Sequence, residues 1–101
     1  MFDPETFTLE GHVALVTGAG AGIGRGIAEM FAGAGAAVVV SDLKQETADE
    51  VADGIVEAGG KAVGLACNVT KEEDLQAAVQ TAIDSFGSLT ILVNNAGGGG
   101  P

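Results

Sequence analysis

Residues 17–24 form a glycine-rich run, Thr-Gly-Ala-Gly-Ala-Gly-Ile-Gly, which separates two segments of different character. The four residues before it are all apolar, as in a strand buried on both faces, and the residues after it repeat with helical period as far as residue 34. The next apolar run ends at an acidic residue, Asp42. A strand, a glycine turn, a helix and a second strand that ends in a carboxylate are the parts of a dinucleotide-binding site, so the sequence predicts one here.

Four short apolar runs alternate along the chain with three segments of helical period. The predicted strands cover residues 13–17, 37–41, 62–66 and 90–94. Strands that alternate with helical crossovers form parallel sheets with right-handed connections. We therefore predict an α/β fold, the βαβαβαβ portion of a Rossmann-type doubly wound parallel sheet, with the strand order 3-2-1-4.

Each predicted helix has an apolar stripe that we expect to pack on the sheet. The stripe residues are Ile23, Ile27, Met30, Phe31 and Ala34 in the first helix, Ala48, Val51, Ala52, Ile55 and Val56 in the second, and Leu75, Ala78, Val79, Ala82, Ile83 and Phe86 in the third. The third helix is predicted to begin with a capping box, in which Thr70 accepts from the backbone N–H of Glu73 and the Glu73 side chain bonds back to Thr70.

The composition excludes several classes of partner. The formal net charge is −10, with four Lys and Arg residues in total, whereas nucleic acids and anionic membranes require a basic patch. No apolar run reaches the roughly 18 residues of a membrane helix, and the acidic N-terminus lacks the basic start of a signal peptide, so we expect a cytoplasmic protein. The carboxylates have no metal-ligand spacing, and His12 and Cys67 have no activating partners, so we predict no metal site and structural roles for both residues.

The glycines fit the pattern T-G-x-x-x-G-x-G better than G-x-G-x-x-G. Gly18 would allow a sharp turn after the strand, Gly22 would let the backbone approach a ligand without a Cβ, and Gly24 would let the helix lie close to the sheet. The N–H groups around residues 22–24 would then face the pyrophosphate of the cofactor, assisted by the helix dipole.

Asp42 is predicted to select the form of the cofactor. A carboxylate at the end of the second strand can accept from both adenosine ribose hydroxyls and repel a 2′-phosphate. Positions 19, 20, 21 and 43 carry no cation that could bind such a phosphate. The sequence therefore favours NAD over NADP, although Asp42 could alternatively cap the helix that follows it.

The glycine run, Asn68-Val69 after the third strand and the motif Asn94-Asn-Ala-Gly97 together resemble the short-chain dehydrogenase/reductase family. The resemblance extends from about Gly11 to Gly100. It implies a nicotinamide cofactor, an alcohol or ketone as substrate and assembly into a homo-oligomer, commonly a tetramer.

The resemblance also implies residue roles. The cofactor diphosphate would lie along the glycine loop, the adenosine ribose beside Asp42, the adenine beside Asn68, and the remaining ribose near the Asn94 motif. The implied cofactor-binding residues are Gly18, Ala21, Gly22, Ile23, Gly24, Asp42, Leu43, Asn68, Val69, Asn95, Ala96 and Gly97, and Gly99 would lie near the substrate entrance as in steroid-specific members. The family usually has Asp at position 68, so Asn68 would keep a carbonyl acceptor for the adenine amino group but without the charge.

The catalytic residues of the family are not matched in this sequence. Its Ser, Tyr and Lys lie C-terminal to the matched region, and this chain contains no Tyr. We therefore expect residues 1–101 to be the N-terminal portion of a single NAD(P)-binding domain, inactive alone, with an exposed apolar edge at the fourth strand.

Two other functions fit parts of the pattern. A non-catalytic nucleotide-binding module would need the same loop and carboxylate. An S-adenosylmethionine-dependent methyltransferase also has a glycine loop after the first strand and an acid after the second, but a different motif is expected after its fourth strand.

Overall fold

The computed structural model describes residues 8–95. Within them four strands alternate with three helices, as predicted. The elements are β1 (Val13–Val16), α1 (Gly22–Gly33), β2 (Ala37–Asp42), α2 (Gln45–Glu57), β3 (Lys61–Ala66), α3 (Glu72–Phe86) and β4 (Ile91–Val93).

The four strands form one parallel sheet in the order β3-β2-β1-β4. In this register Val13 pairs with Ala37 and Ala14 with Ile91. The predicted strand order and the Rossmann-type fold are confirmed. Because all strands run in the same direction, the carboxyl ends of β1, β2 and β3 meet at one edge of the sheet, where the residues that follow them come together.

Helices cover both faces of the sheet, which explains why its central strands are apolar without alternation. On one face Val38 and Val40 of β2 pack with α1 and α2, and on the other face Val39 packs with Ala78 and Ala82 of α3. Each of these five side chains is fully buried.

The apolar stripe predicted for α1 is partly wrong. The buried residues of α1 are Gly24, Ala28 and Ala32, whereas Ile23 is 77% exposed and Met30 54% exposed. Small side chains bring the helix axis close to the sheet, and the larger side chains then lie at the margins of the contact. Periodicity alone favours the larger residues because it takes no account of how near the helix lies. Some predicted stripe residues of the other helices, Val56, Val79 and Ile83, are likewise exposed.

The predicted capping box is also wrong. The helix α3 begins at Glu72, its N-cap is Lys71, and no side chain caps it. The Thr70 hydroxyl instead donates to Asn68 Oδ1 at 2.6 Å. Three acidic residues in the first turn, Glu72, Glu73 and Asp74, interact favourably with the positive end of the helix dipole in place of a cap.

His12 lies at the amino end of β1, away from the glycine loop. Its Nδ1 is 3.0 Å from Thr90 Oγ1, and this hydroxyl also accepts from the N–H of Val13 at 2.9 Å. The imidazole thus helps to join β1 to the segment before β4.

Over residues 8–95, no helix is sufficiently long and apolar to cross a membrane.

Candidate functional site

The glycine loop joins β1 to α1 and adopts backbone conformations that only glycine takes without strain. Gly18 has φ +61° and Gly22 has φ +59°. A Cβ added to Gly22 would meet no described atom within 4 Å, so the loop is open on that side. Gly22 is therefore required for its conformation, and the space beside it is available to a ligand.

Thr17 fastens the start of the loop to the end of β4. Its N–H donates to Val93 O at 3.0 Å, and its hydroxyl accepts from the N–H of Asn95 at 3.0 Å. The Asn95 side chain in turn donates from Nδ2 to Gly18 O at 3.3 Å. Thr17 is 1% exposed. The turn at Gly18 is thus held by a threonine that follows β1 and an asparagine that follows β4.

Gly24 is the point at which α1 touches this turn. A Cβ at Gly24 would overlap the carbonyl oxygen of Gly18 and would lie 2.6 Å from Asn95 Nδ2. Backbone on one side and a bonded side chain on the other leave no room for any larger residue. The close contact fixes where the first turn of α1 points.

The first turn of α1 presents backbone N–H groups without a competing acid. Its N-cap is Ala21, no side chain caps it, and the turn contains no Asp or Glu. The first bond of the helix runs from Arg25 N–H to Ala21 O at 3.3 Å, so the N–H groups of Gly22, Ile23 and Gly24 precede the helical ladder. With the helix dipole behind them, these donors suit an anion such as a diphosphate.

Asp42 ends β2 and faces the glycine loop. A Cβ on Gly20 would lie 2.7 Å from Asp42 Oδ2 and 2.5 Å from Thr47 Cγ2, so the carboxylate packs against the loop backbone. The N–H of Ala19 donates to Ser41 O at 2.8 Å, which holds the loop to the end of β2. Asp42 does not cap the next helix, because the N-cap of α2 is Lys44 and no side chain bonds there.

Asn68 follows β3, next to Asp42. The two strand ends are joined by the bond from Cys67 N–H to Asp42 O at 2.8 Å. Asn68 Oδ1 accepts from both the N–H and the hydroxyl of Thr70, at 3.0 and 2.6 Å, and the Asn68 N–H donates to Asp74 Oδ2 at 2.9 Å. Asn68 Oδ1, which was expected to accept from an adenine amino group, therefore already accepts two hydrogen bonds from Thr70.

Apolar side chains lie around this edge of the sheet. Ile23 and Leu43 are 77% and 72% exposed, and Val69 packs partly against the core beneath α3. Cys67 is buried, and this burial, with a smaller contribution from the charge of Asp74, raises the pKa of its thiol. A protonated buried thiol is a poor nucleophile, in keeping with the predicted structural role.

Three predicted site residues, Ala96, Gly97 and Gly99, lie outside the described residues. The structure brings the other predicted residues to the carboxyl edge of the sheet, at the end of β2, in the first turn of α1 and on the segments that follow β1, β2, β3 and β4. Across residues 8–95, no cluster of three or more His, Cys, Asp or Glu side chains is placed to hold a metal ion.

The comparisons with known proteins agree with this geometry. The family model described as short chain dehydrogenase matches residues 12–101. The chain belongs to the short-chain dehydrogenase family. It is 50% identical over 101 residues to a 7α-hydroxysteroid dehydrogenase of Escherichia coli strain K12, covering 100% of this chain and 40% of that enzyme.

Other members of the short-chain dehydrogenase family are similarly close. A cyclohexanol dehydrogenase of Acinetobacter sp. strain SE19 is 49% identical over 85 residues, which are 84% of this chain and 34% of that enzyme. The solved structure of a 7α-hydroxysteroid dehydrogenase complexed with NADH and 7-oxo glycochenodeoxycholic acid superposes with a TM-score of 0.91 at 50% identity, over 100% of this chain and 40% of that one. The chain thus spans well under half the length of these relatives.

The sequence patterns assign no role at this edge of the sheet to four further residues. Gly20 adjoins Asp42, and Thr70 engages Asn68. Gln45 accepts from the N–H of Ala66 at 2.9 Å and so ties the start of α2 to the end of β3. Lys44 is an exposed cation two residues after Asp42, and it lies just beyond positions 19, 20, 21 and 43, none of which carries a cation. Lys44 could have been found from its spacing to Asp42, and Thr70 from its Asx-turn spacing to Asn68.

Proposed function

We propose that the protein binds NAD along the carboxyl ends of β1, β2 and β3 and is the cofactor-binding part of an NAD-dependent oxidoreductase. The observation that carries this proposal is the Asp42 carboxylate packed against Gly20, because it lies one strand away from the N–H groups that open α1. The NADH complex of a 50% identical hydroxysteroid dehydrogenase supports the same cofactor.

Each part of this edge suits one part of a dinucleotide. The N–H groups of Gly22, Ile23 and Gly24 would bind the diphosphate, and the open side of Gly22 would admit it. Asp42 would accept from the ribose hydroxyls and disfavour a 2′-phosphate through like-charge repulsion. The exposed Ile23 and Leu43 would exclude water from the two sides of the bound cofactor.

The reaction we propose is hydride transfer between a secondary alcohol or its ketone and the nicotinamide, which supplies the hydride acceptor when bound. The residues of this chain bind and orient the cofactor. The chain contains no Tyr, so we assign the acid/base group of the family to residues other than these 101 and expect these residues alone not to turn over substrate.

We propose cyclic secondary alcohols as the substrate class, with a 7α-hydroxysteroid as the first candidate. The support is the names of two relatives about equally similar to this chain, a 7α-hydroxysteroid dehydrogenase and a cyclohexanol dehydrogenase. Both names specify a hydroxyl group on a saturated ring.

Parallel titrations of NADH, NADPH and S-adenosylmethionine into the protein at its natural length test the proposal. We expect NADH to bind most tightly, measured by calorimetry and by nicotinamide fluorescence. Tighter binding of NADPH would refute the role of Asp42, and binding of S-adenosylmethionine alone would indicate a methyltransferase. Tight NADH binding without turnover of a 7α-hydroxysteroid or cyclohexanol would favour a non-catalytic nucleotide module.

A further inference from the structure

The side chain of Asn68 offers a donor rather than an acceptor to anything bound beyond Asp42. Its Oδ1 accepts two hydrogen bonds from Thr70, at 3.0 Å from the N–H and 2.6 Å from the hydroxyl. A carbonyl oxygen has two lone pairs, so both are in use. The orientation of the amide is set by these bonds, because a backbone N–H can only donate and must therefore face the oxygen.

The other atom of the amide, Nδ2, is available. Within residues 8–95, no acceptor receives a hydrogen bond from Asn68 Nδ2, and the residue is only partly buried. The backbone N–H of Asn68 is also fixed, since it donates to Asp74 Oδ2 at 2.9 Å. Two NH₂ hydrogens are thus the remaining hydrogen-bonding capacity of this side chain.

The sheet order indicates which part of a dinucleotide would meet Asn68. The glycine loop follows β1, Asp42 ends β2, and Asn68 follows β3, in the spatial order β1-β2-β3. A cofactor with its diphosphate on the loop and its ribose on Asp42 would therefore extend its base toward the end of β3. The bond from Cys67 N–H to Asp42 O keeps these two strand ends adjacent.

We propose, on the basis of the proposed NAD site, that Asn68 presents its amide NH₂ to the 6-position of the bound base and that Thr70 enforces this orientation. Adenine carries a donor at its 6-position, whereas hypoxanthine carries an acceptor there. A donor on the protein cannot favour the adenine amino group. This chain therefore does not prefer NADH over reduced nicotinamide hypoxanthine dinucleotide.

An Asn68→Asp substitution replaces the amide donor with a hydrogen-bond acceptor without changing the shape of the side chain. One carboxylate oxygen keeps the two bonds from Thr70, and the other replaces Nδ2 as an acceptor for the adenine amino group. A charge-assisted hydrogen bond would then shift the ratio of the two dissociation constants toward NADH by about tenfold. The added negative charge acts on both dinucleotides alike and cancels in this ratio.

Thr70 provides the second, independent variant. Thr70→Val removes the hydroxyl bond but keeps the backbone N–H that faces Asn68 Oδ1, so the orientation of the amide is retained and the ratio should change little. Asn68→Ala should not move the ratio away from NADH, because the wild-type side chain does not favour adenine. Gln76→Glu, an exposed position on α3, adds the same charge as Asn68→Asp away from the site and is the matched control.

The experiment is a set of calorimetric titrations of both dinucleotides into the protein at its natural length and into each variant. Binding of NADH no tighter than that of the hypoxanthine dinucleotide in the wild type, together with a tenfold shift toward NADH in Asn68→Asp, supports the proposal. A strong wild-type preference for NADH that Asn68→Ala removes would overturn it, since Asn68 would then be an acceptor. An unchanged ratio in Asn68→Asp would also overturn it. Failure of the wild type to bind either dinucleotide would instead refute the proposed function, and this inference with it.

Discussion

The carboxylate of Asp42 rests on the α-carbon of Gly20, so closely that a methyl group there would lie 2.7 Å from Asp42 Oδ2. One residue belongs to the loop after β1 and the other to the end of β2. Glycine at position 20 is thus needed for the placement of a neighbouring charge. This relationship links the loop proposed to hold the diphosphate to the carboxylate proposed to hold the ribose.

Gly20→Ala should weaken NADH binding with little loss of stability. The added methyl would meet Asp42 Oδ2 and Thr47 Cγ2, the latter at 2.5 Å, and both are side-chain atoms that can move aside. The displaced carboxylate would lose its alignment with the ribose, and the affinity for NADH should fall about tenfold. Fluorescence titration with NADH and a thermal melt of the same variant separate binding from stability.

Gly26→Ala is the matched control for this variant. It lies in α1, where an added Cβ would meet no described atom within 4 Å. The affinity for NADH should be unchanged, and the stability should rise by about 0.5–1 kcal/mol because alanine favours a helix over glycine. Wild-type NADH affinity in Gly20→Ala would contradict the proposed dependence of NADH binding on the contact between Gly20 and Asp42.

Asp42→Asn should reduce the preference for NADH over NADPH. The substitution keeps the shape of the side chain but removes the charge that repels a 2′-phosphate, and it weakens the bonds to the ribose hydroxyls. We expect the affinity for NADH to fall about tenfold while that for NADPH rises. The ratio of the NADH and NADPH dissociation constants, both measured at one ionic strength, tests this expected loss of preference.

Lys44 should determine how far NADPH binding improves in that background. It is an exposed cation two residues beyond Asp42, and the one salt bridge among residues 8–95 joins Arg25 to Glu29 instead, at 3.2 Å. Adding Lys44→Gln to Asp42→Asn should remove most of the gain in NADPH affinity. Asp53→Asn, which removes an exposed charge from α2, is the control. An equal rise in NADPH affinity in Asp53→Asn and in Asp42→Asn would mean that NADPH binding responds only to the net charge of the protein.

The fold could be predicted because it depends on sequence patterns that can be recognised without knowledge of the tertiary contacts. Short apolar runs that alternate with helical segments permit few arrangements other than a parallel sheet with crossovers. The order β3-β2-β1-β4 agrees with that prediction. The glycine pattern was informative for a related reason, since glycine tolerates the positive φ that Gly18 and Gly22 adopt in the loop.

Packing distances could not be predicted in the same way. The buried face of α1 is made by Gly24, Ala28 and Ala32, and Ile23 is exposed, because the helix lies too close to the sheet for large side chains. The contact between Gly20 and Asp42 likewise depends on how two separate strand ends meet. Such contacts join residues distant in sequence, and no local pattern encodes them.

Competition between two local patterns explains the wrong capping box. Thr70 and Glu73 have the correct spacing for a cap, but Asn68 and Thr70 also have the spacing of an Asx turn. In the structure Thr70 bonds to Asn68 Oδ1, and the helix starts later, at Glu72. The sequence contained both possibilities, and only the fold of the loop decides between them.

Thr17→Val should destabilise the glycine loop. The hydroxyl accepts from the N–H of Asn95 at 3.0 Å, and valine of the same shape would leave that donor without its acceptor at a cost of about 1–2 kcal/mol. Urea denaturation measures the loss, and NADH titration should show weaker binding as well. Thr17→Ser, which keeps the hydroxyl, should restore much of both.

The control is Thr81→Val on α3, whose hydroxyl donates to Ala77 O at 2.8 Å near the surface. Loss of this bond should cost little, because the carbonyl keeps access to water. If Thr17→Val and Thr81→Val unfold at the same urea concentration, Thr17 does not fasten the loop to β4.

Cys67 should make the protein less stable at alkaline pH. Burial, with a smaller contribution from the nearby Asp74 charge, raises the pKa of the Cys67 thiol in the folded state. As the pH rises past the pKa of a thiol in the unfolded chain, about 8.5, the unfolded state loses its proton while the folded state retains it. The stability that this group contributes is therefore complete at neutral pH and declines as the pH approaches the folded-state pKa.

Cys67→Ala lacks this group, so its free energy of unfolding should fall less steeply than that of the wild type between about pH 7 and about pH 10 in urea titrations. A constant cost from the lost side-chain volume would offset the two curves without changing their slopes. Parallel curves over that range would contradict a raised thiol pKa.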